Sequence, residues 1–428
     1  MRRRMVLVFV AACASIGGSA ACSAVLGFNS LTLLPSDEAG PSLEGGGQDG
    51  TTDGPKSDAG GDGATCVADL MVDPKNCGRC GHDCLGGTCD TGQCQPVKLG
   101  DGLAVPEGLV VDATNVFVTE YDLNRIVKFG KNALGPCKAA PLPNQCIFDQ
   151  TQAFKPTAMG VDATNVYWTT TGGGATHEIR SCPRAGCGGQ APKLIAQLGT
   201  EAFGHLFGND VLPLELVVKD GQVFWPESLG GAIRSAPVTG GTVTTYLESS
   251  SYMPLAIAVD GAQIFFTDDT NQHPTQIQAV PRDASRTVSV IAATPARPYG
   301  LGLTTTGNLY WTIPFISNAG DGLVQASPKS ADGGAPIGAV ASSQADPHML
   351  MVDALNVYWV ITGSSNAATG MVLYCRLTGC PTDGPIVLAR DQRVPAHLTQ
   401  DEAAIYWSNE GLSSSSTYDG QVWKVAKP

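Results

Sequence analysis

A short phrase recurs seven times along this chain, and the repetition constrains the fold more than any other feature. In its clearest copy, residues 161–169 read Val-Asp-Ala-Thr-Asn-Val-Tyr-Trp-Thr. Each copy holds an apolar run, a turn with Asp, Gly or Asn, and a second run rich in β-branched and aromatic residues. This pattern is typical of a β-hairpin. The last aromatic position of the phrase, or its equivalent, falls at residues 118, 168, 225, 266, 311, 359 and 407.

The spacing of the copies indicates the architecture. Successive copies are 50, 57, 41, 45, 48 and 48 residues apart, which is the interval of a four-stranded propeller blade. A fourth strand follows a third after a short turn, as in residues 193–195 and 386–388. No stretch shows helical periodicity, so the sequence predicts an all-β, seven-bladed β-propeller. The third strand of each blade is marked by Ile126, Ile179, Ile233, Ile277, Val324, Val372 and Val422.

The two ends of the repeat region predict how the ring closes. The last repeat stops at Pro428 after its third strand, residues 421–425. The segment Pro-Val-Lys-Leu at residues 96–99 begins 16 residues before Asp112, just as the fourth strand at 385–388 begins 16 residues before Asp401. We therefore expect the N-terminal strand to complete the last blade, which leaves no open sheet edge.

Residues 1–21 have the layout of an export signal, with three arginines, an apolar run at 5–12 and small residues before Cys22. This segment resembles a bacterial lipoprotein signal, which implies lipidation of Cys22 and a place in the cell envelope, at the outer membrane or cell surface. Cys13 and an ordinary secretory signal are the alternatives. The cysteine count favours Cys22, because losing Cys13 and lipidating Cys22 leaves 12 of 14 cysteines, an even number for an oxidising compartment.

Two segments separate the signal from the propeller. Residues 22–65, rich in Gly, Asp and Ser, are predicted to be a flexible tether. Residues 66–95 form a cysteine-rich module in which an exported setting favours three disulfides over a metal site, with 15 pairings open. Its segment 76–84 resembles a short module that precedes propellers in some exported bacterial proteins. The module's cysteines are Cys66, Cys77, Cys80, Cys84, Cys89 and Cys94.

The remaining cysteines lie within the propeller as local pairs. Both cysteines of segment 182–187 are absent together from the aligned segment 236–241 of the next blade, which argues for a bond between them. Facing residues of a hairpin are close enough for such a bond. The predicted pairs are Cys182 with Cys187, Cys375 with Cys380, and Cys137 with Cys146.

Residues 96–428 resemble the YWTD-type and NHL-type propeller families through the recurrent Pro-x-x-apolar-x-Val-Asp followed by Tyr-Trp-Thr. Lys219 and Thr305 depart from the repeated Asp, and YWTD propellers usually have six blades, so the resemblance implies the fold and no ligand. We interpret the repeated Asp as a turn former. The tryptophans are interpreted as blade-packing residues and not as carbohydrate-stacking ones. They are Trp168, Trp225, Trp311, Trp359 and Trp407.

A Pro begins the first strand of each blade, and the polar residues that follow it are expected to ring the mouth of the channel. Such residues could form an acid/base or metal site. Bacterial lyases and regucalcin-like lactonases are among the propeller families similar to this chain, and they place such residues at this mouth. A water-filled funnel with no chemistry is the alternative reading of the same ring. The candidates are Glu107, Glu215, Tyr299, His348 and His397.

The loops between second and third strands vary most between the repeats, and variable loops on a rigid scaffold are where binding is usually built. The leading interpretation is a membrane-tethered, non-catalytic binding module for a glycan, peptide or protein, and the alternative is a lyase or lactonase-like hydrolase at the channel mouth. No cofactor is indicated, and a metal ion at the mouth is left open. The variable segments are residues 170–178, 199–212, 268–273, 314–322, 362–370 and 409–419.

Charge narrows the choice of partner. The formal net charge is −13, and loss of the three signal arginines makes it −16. Because nucleic-acid binding depends on neutralising phosphates with Lys and Arg, we expect no nucleic-acid partner.

Overall fold

The computed structural model describes a defined part of the chain, and all structural statements refer to it. The signal and tether predictions, and with them Cys22, Cys66 and Cys137, fall outside the described residues. Within the described part, no helix is long and apolar enough to cross a membrane. The described residues are 69–132, 146–150, 155–171, 177–199, 205–207, 210–211, 215–270, 275–283, 285–318, 320–330, 333–334, 336, 338–412 and 418–428.

The described residues form seven antiparallel four-stranded sheets, which are the seven predicted blades. We number strands in chain order and blades from I to VII. The cysteine-rich module contributes β1 (Cys89–Asp90) and β2 (Gln93–Cys94), and β3 (Val97–Leu103) follows it. Blade I is β4 (Pro106–Val111), β5 (Asn115–Glu120), β6 (Arg125–Gly130) and β7 (Ile147–Asp149). Blade II is β8 (Lys155–Val161), β9 (Asn165–Thr171), β10 (His177–Pro183) and β11 (Lys193–Leu198).

The insertion after blade II contains a small separate sheet of β12 (His205–Phe207) and β13 (Asp210–Val211). Blade III is β14 (Val217–Lys219), β15 (Gln222–Glu227), β16 (Ala232–Pro237) and β17 (Thr244–Glu248). Blade IV is β18 (Pro254–Val259), β19 (Gln263–Asp268), β20 (Gln276–Pro281) and β21 (Ser289–Ala293). Blade V is β22 (Leu301–Leu303), β23 (Asn308–Ile313), β24 (Gly322–Pro328) and β25 (Gly338–Gln344).

Blade VI is β26 (Pro347–Val352), β27 (Asn356–Ile361), β28 (Gly370–Arg376) and β29 (Ile386–Gln392). Blade VII has β30 (Pro395–Gln400), β31 (Ala404–Asn409) and β32 (Gly420–Ala426). Its outer strand is β3, which pairs antiparallel with β32 so that Val97 faces Lys424 and Leu103 faces Gly420. The predicted closure by the N-terminal strand is therefore confirmed, with a strand longer than the apolar residues 97–99 indicated.

The first hairpin of most blades is shaped by the repeated Asp, as predicted. Its Oδ1 accepts hydrogen bonds at 2.7–2.8 Å from the N–H groups two and three residues later, which is the bonding of an Asx turn. The residues that do this are Asp112, Asp162, Asp260, Asp353 and Asp401.

Several of the same carboxylates also join neighbouring blades. The other carboxylate oxygen, Oδ2, lies close to a cation that follows the third strand of the next blade, so one side chain shapes a turn and forms an ion pair between blades. The Lys131–Asp401 pair links blade I to blade VII across the closure, with both side chains mostly buried. The pairs are Asp112–Arg184 (3.8 Å), Asp260–Lys329 (2.5 Å), Asp353–Lys427 (3.1 Å) and Asp401–Lys131 (2.6 Å).

The tryptophans of the repeat are fully buried between blades. All five have 0% exposure, in agreement with a packing role. Trp225 of blade III, for example, shares a core cluster with Tyr167 and Ile179 of blade II. Burial of such large aromatic surfaces contributes strongly to the interfaces of the blades that carry a tryptophan.

The disulfides seen in the structure join cysteines that are close in the chain, and each closes a short loop. Cys182 bonds Cys187 and Cys375 bonds Cys380, which are the predicted pairs. Cys146 is also disulfide-bonded. In the module, Cys77 bonds Cys89 and Cys84 bonds Cys94, and both bonds span short loops of a segment with little apolar core.

The module packs against blades VI and VII. The two ring nitrogens of His82 each lie near a carbonyl oxygen, 2.6 Å from that of Cys77 and 2.7 Å from that of Lys427. The Gln93 side chain donates to the carbonyl oxygen of Val387 at 2.6 Å. These contacts fix the module beside the strands that close the ring.

Candidate functional site at the channel mouth

The five candidate residues lie at the starts of first strands. The first strands of blades V, VI, VII and I follow one another around the ring, whereas that of blade III is separated from them by the first strands of blades II and IV. Glu107 lies in β4, His348 in β26 and His397 in β30. Glu215 and Tyr299 come two residues before β14 and β22. All five side chains are partly accessible to solvent.

A repeated threonine positions the backbone of this mouth. The hydroxyl of Thr119 accepts from an N–H of its own blade and donates to a carbonyl oxygen of the next blade at 3.0 Å. Thr267 donates in the same way to the carbonyl of Tyr299 at 3.1 Å, and Thr312 to that of His348 at 2.5 Å. The threonine of the repeated Tyr-Trp-Thr phrase therefore fixes neighbouring first strands at the mouth.

Tyr299 and His348 form a stacked pair from adjacent blades. Their ring centroids are 4.7 Å apart with an interplanar angle of 21°, and His348 Nε2 lies 3.0 Å from Asp346 Oδ1. Burial raises the pKa of Tyr299 well above its ordinary value, and the carboxylates of Glu410, Glu107, Asp269 and Asp346 raise it further.

The acidic groups around this pair come from several blades. Glu107 belongs to blade I, whereas Tyr299 belongs to blade V, so their electrostatic interaction reaches across the channel. Arg297 pairs with Asp269 at 2.6 Å and partly offsets that charge.

Glu215 and His397 have pKa values displaced in opposite directions. Although each side chain touches channel solvent, both lie deep among protein atoms, and burial disfavours the charged form. Burial raises the pKa of Glu215 to about 7, against the lowering effect of a hydrogen bond from the Ile257 N–H at 2.7 Å to Oε2. Burial lowers the pKa of His397 to about 4. Near neutral pH the Glu215 carboxyl is part protonated and the His397 ring is uncharged.

The mouth does not offer a ready metal site among the described residues. In this part of the chain, the His, Cys, Asp and Glu groups that bring three ligand atoms within 4.8 Å of one another are Cys77, Cys84 and Cys94. Those cysteines are already in disulfides, and a disulfide sulfur is not the thiolate that a metal binds.

An apolar loop stands beside the mouth. In the connection between β23 and β24, Phe315 and Ile316 are 58% and 39% exposed. The Asp321 carboxylate accepts from the N–H groups of residues 316, 317 and 318 at 2.7–2.8 Å, and these bonds lower its pKa. At the loop's end a Cβ on Gly322 would lie 2.5 Å from the Pro347 ring, so the loop base abuts the residue before His348.

The sequence analysis did not single out several residues that lie near the candidate ring. Phe315 and Glu410 fell within segments noted only as variable loops. So did Asp321, whose three hydrogen bonds depend on the folded loop. The sequence could have pointed to this loop through a carboxylate that follows two large apolar residues within the same variable segment.

Known structures share this fold. No protein-family model and no curated protein matches the sequence. A virginiamycin B lyase from Staphylococcus aureus is similar, with 14% identity and a TM-score of 0.51 over 78% of this chain and 99% of that one. A streptogramin B lyase has 13% identity and a TM-score of 0.51 over 77% and 97%. A nidogen/laminin complex has 15% identity and a TM-score of 0.42 over 64% and 95%. At these identities the likeness to the two lyase structures shows the β-propeller fold alone.

The raised pKa of Glu215 predicts a pH-dependent stability. A carboxyl whose pKa is near 7 when folded and about 4.3 when unfolded binds more protons in the folded state between these values, so it destabilises the fold as pH rises through that window. Glu215→Gln keeps an oxygen for the Ile257 N–H and cannot ionise. We expect the variant to gain on the order of 2 kcal/mol over the parent protein between pH 4.5 and pH 8.

Urea unfolding of both proteins at the two pH values measures this gain. His397 also titrates in this range and loses its stabilising neutral form as pH falls, but it is common to both proteins and cancels in the comparison. A stability difference that is the same at both pH values would show that Glu215 ionises normally.

Proposed function

We propose that this protein is a lipid-tethered, extracytoplasmic propeller that binds a peptide or protein segment at its channel mouth without catalysis. The observation that carries the proposal is the exposed Phe315–Ile316 pair, held by Asp321 beside an acidic mouth. A complementary ligand would present apolar side chains to the loop and Lys or Arg to the mouth.

The geometry at residues 316–318 supports binding because Asp321 holds this segment before a ligand arrives. Three backbone N–H groups already bonded to Asp321 reduce the entropy that must be lost on association. Aromatic side chains exposed on a rigid base commonly contribute most of the affinity in protein interfaces.

The charge of the molecule supports a cationic partner. The mouth carboxylates lie within a chain of net charge −13, so long-range attraction and local contact act in the same direction. Binding should consequently weaken as salt is added.

The tether follows from the N-terminal sequence. The small residues before Cys22 and the even number of remaining cysteines support lipidation, and the disulfides of the described residues are typical of an oxidising compartment. Tethering would leave the propeller free to meet partners in the cell envelope.

A lyase or lactonase-like hydrolase is the second candidate, favoured by one observation. A carboxyl with a pKa near 7 can both give and accept a proton at neutral pH, and Glu215 meets this condition at the mouth. Turnover of a lactone or cyclic ester that disappears in Glu215→Gln would favour this candidate over simple binding.

Replacing Phe315 tests the binding surface. We expect Phe315→Ser to weaken binding to immobilised peptides containing Lys or Arg beside aromatic residues by about tenfold, because the main apolar contact is lost. Leu355→Ser is the matched control, since Leu355 is 60% exposed in a first hairpin, at the opposite end of its blade from the mouth. Biolayer interferometry at low and high salt provides both affinities.

Equal affinity of Phe315→Ser and the parent protein would remove the loop from the binding surface. Binding to glycans and to no peptide in the same format would overturn the peptide assignment.

Cys22→Ala tests the tether. Without the lipidated thiol, the protein should move from the membrane fraction to the soluble fraction, because nothing else in the proposal holds it there. Fractionation and mass analysis of the mature N-terminus decide the question. A Cys22→Ala protein that stays with the membrane, or a mature N-terminus elsewhere, would contradict lipidation at Cys22.

A further inference from the structure

A groove of about 350 Å³ with a mixed polar and apolar lining lies where the cysteine-rich module meets blades VI and VII. The module contributes Arg79 and His82 to its lining, and blade VI contributes Tyr374 and Arg376 from β28 and Leu388 from β29. Arg376 ends β28, whereas the opposite end of this strand lies at the mouth, so the groove is separate from the site of the proposed function.

The two arginines of the groove differ from most other arginines of the protein. Within the described part of the chain, neither Arg79 nor Arg376 forms an ion pair, and both are exposed. This is unusual in a chain with an excess of carboxylates. Arginines elsewhere that do pair with Asp or Glu are Arg125, Arg180, Arg184, Arg234, Arg282, Arg297 and Arg393.

Both guanidinium groups lie near Tyr374. Burial raises the pKa of Tyr374, and the positive charges of Arg376 and Arg79 act against that rise. The Tyr374 ring is 8% exposed and packs on Tyr358 at 5.9 Å. Its hydroxyl has no hydrogen-bond partner among the described residues and is available to a ligand.

His82 joins the module to the propeller beside the groove. Its two ring nitrogens lie 2.6 and 2.7 Å from the carbonyl oxygens of Cys77 and Lys427. The same two bonds hold the module against the end of β32, so the two walls of the groove are fixed relative to each other.

We propose that this groove binds a small organic anion, a molecule with a carboxylate or phosphate group attached to an apolar or aromatic body. Arg79 and Arg376 would hold the oxygens, since the guanidinium fork matches carboxylate and phosphate geometry. The Tyr374 hydroxyl would donate a further hydrogen bond. Leu388 and the neighbouring Ile386 would contact the apolar body.

Calorimetric titration of the full chain with phenyl phosphate tests the proposal, and phenylacetate and inorganic phosphate separate the contributions of the anion and the body. We expect saturable binding of one molecule, about tenfold weaker in Arg79→Ala and in Arg376→Ala, with Arg376→Lys between Arg376→Ala and the parent. Arg390→Ala is the matched control, because Arg390 is exposed on the adjacent β29 and does not line the groove. Inorganic phosphate should bind more weakly than phenyl phosphate.

Thermal unfolding of each variant shows whether the fold is retained. We expect it to be retained, because the replaced arginines are exposed and surface substitutions usually change stability little. Absence of saturable binding to all three probes would overturn the proposal. So would affinities in Arg79→Ala and Arg376→Ala equal to that of Arg390→Ala.

Discussion

The pairing of β3 with β32 is the interaction on which the rest of the structure depends. It joins residues more than 300 positions apart in the chain and turns seven sheets into a ring. Two further contacts support it: the Lys131–Asp401 ion pair, and the close approach of Gly420 to the Pro106 ring, where a Cβ would lie 2.6 Å away. The mouth residues come from blades I, III, V, VI and VII, so their mutual positions are defined only when the ring is closed.

Carboxylates have different roles at the two ends of the blades. At the first hairpins, Asp residues accept the hydrogen bonds of the turns and form ion pairs with cations of the next blade, so these carboxylates hold neighbouring blades together. At the mouth, acidic side chains surround Tyr299 and raise its pKa. Asp321 is intermediate, since it organises a loop that exposes apolar side chains. The acidic composition therefore stabilises one end of the propeller and, in the proposed function, would determine the chemistry of recognition at the other.

The sequence predicted the features that arise from local, repeated patterns. Blade number, the Asp turns, the buried tryptophans and closure follow from a period that repeats along the chain. The two hairpin disulfides follow from cysteines that are near each other in the chain. The Tyr299–His348 stack and the groove were not predictable, because they join residues of different blades or modules. His82 and Lys427, for example, are 345 positions apart. The repeat predicts the residues that all blades share, whereas the proposed sites are built from residues that differ from blade to blade.

Closure is tested most directly by thermal unfolding of two deletion proteins and one point variant. Deleting residues 96–100 removes buried Leu99 and half of the strand that covers β32, and it should lower the melting temperature and broaden the transition. Leu99→Ala, a milder change, should destabilise the fold by about 2–4 kcal/mol. Deleting residues 29–65, in the predicted tether, should leave the melting curve unchanged. If the protein lacking residues 96–100 melts like the parent, β3 does not hold the ring closed and the account of the mouth as a preformed site is wrong.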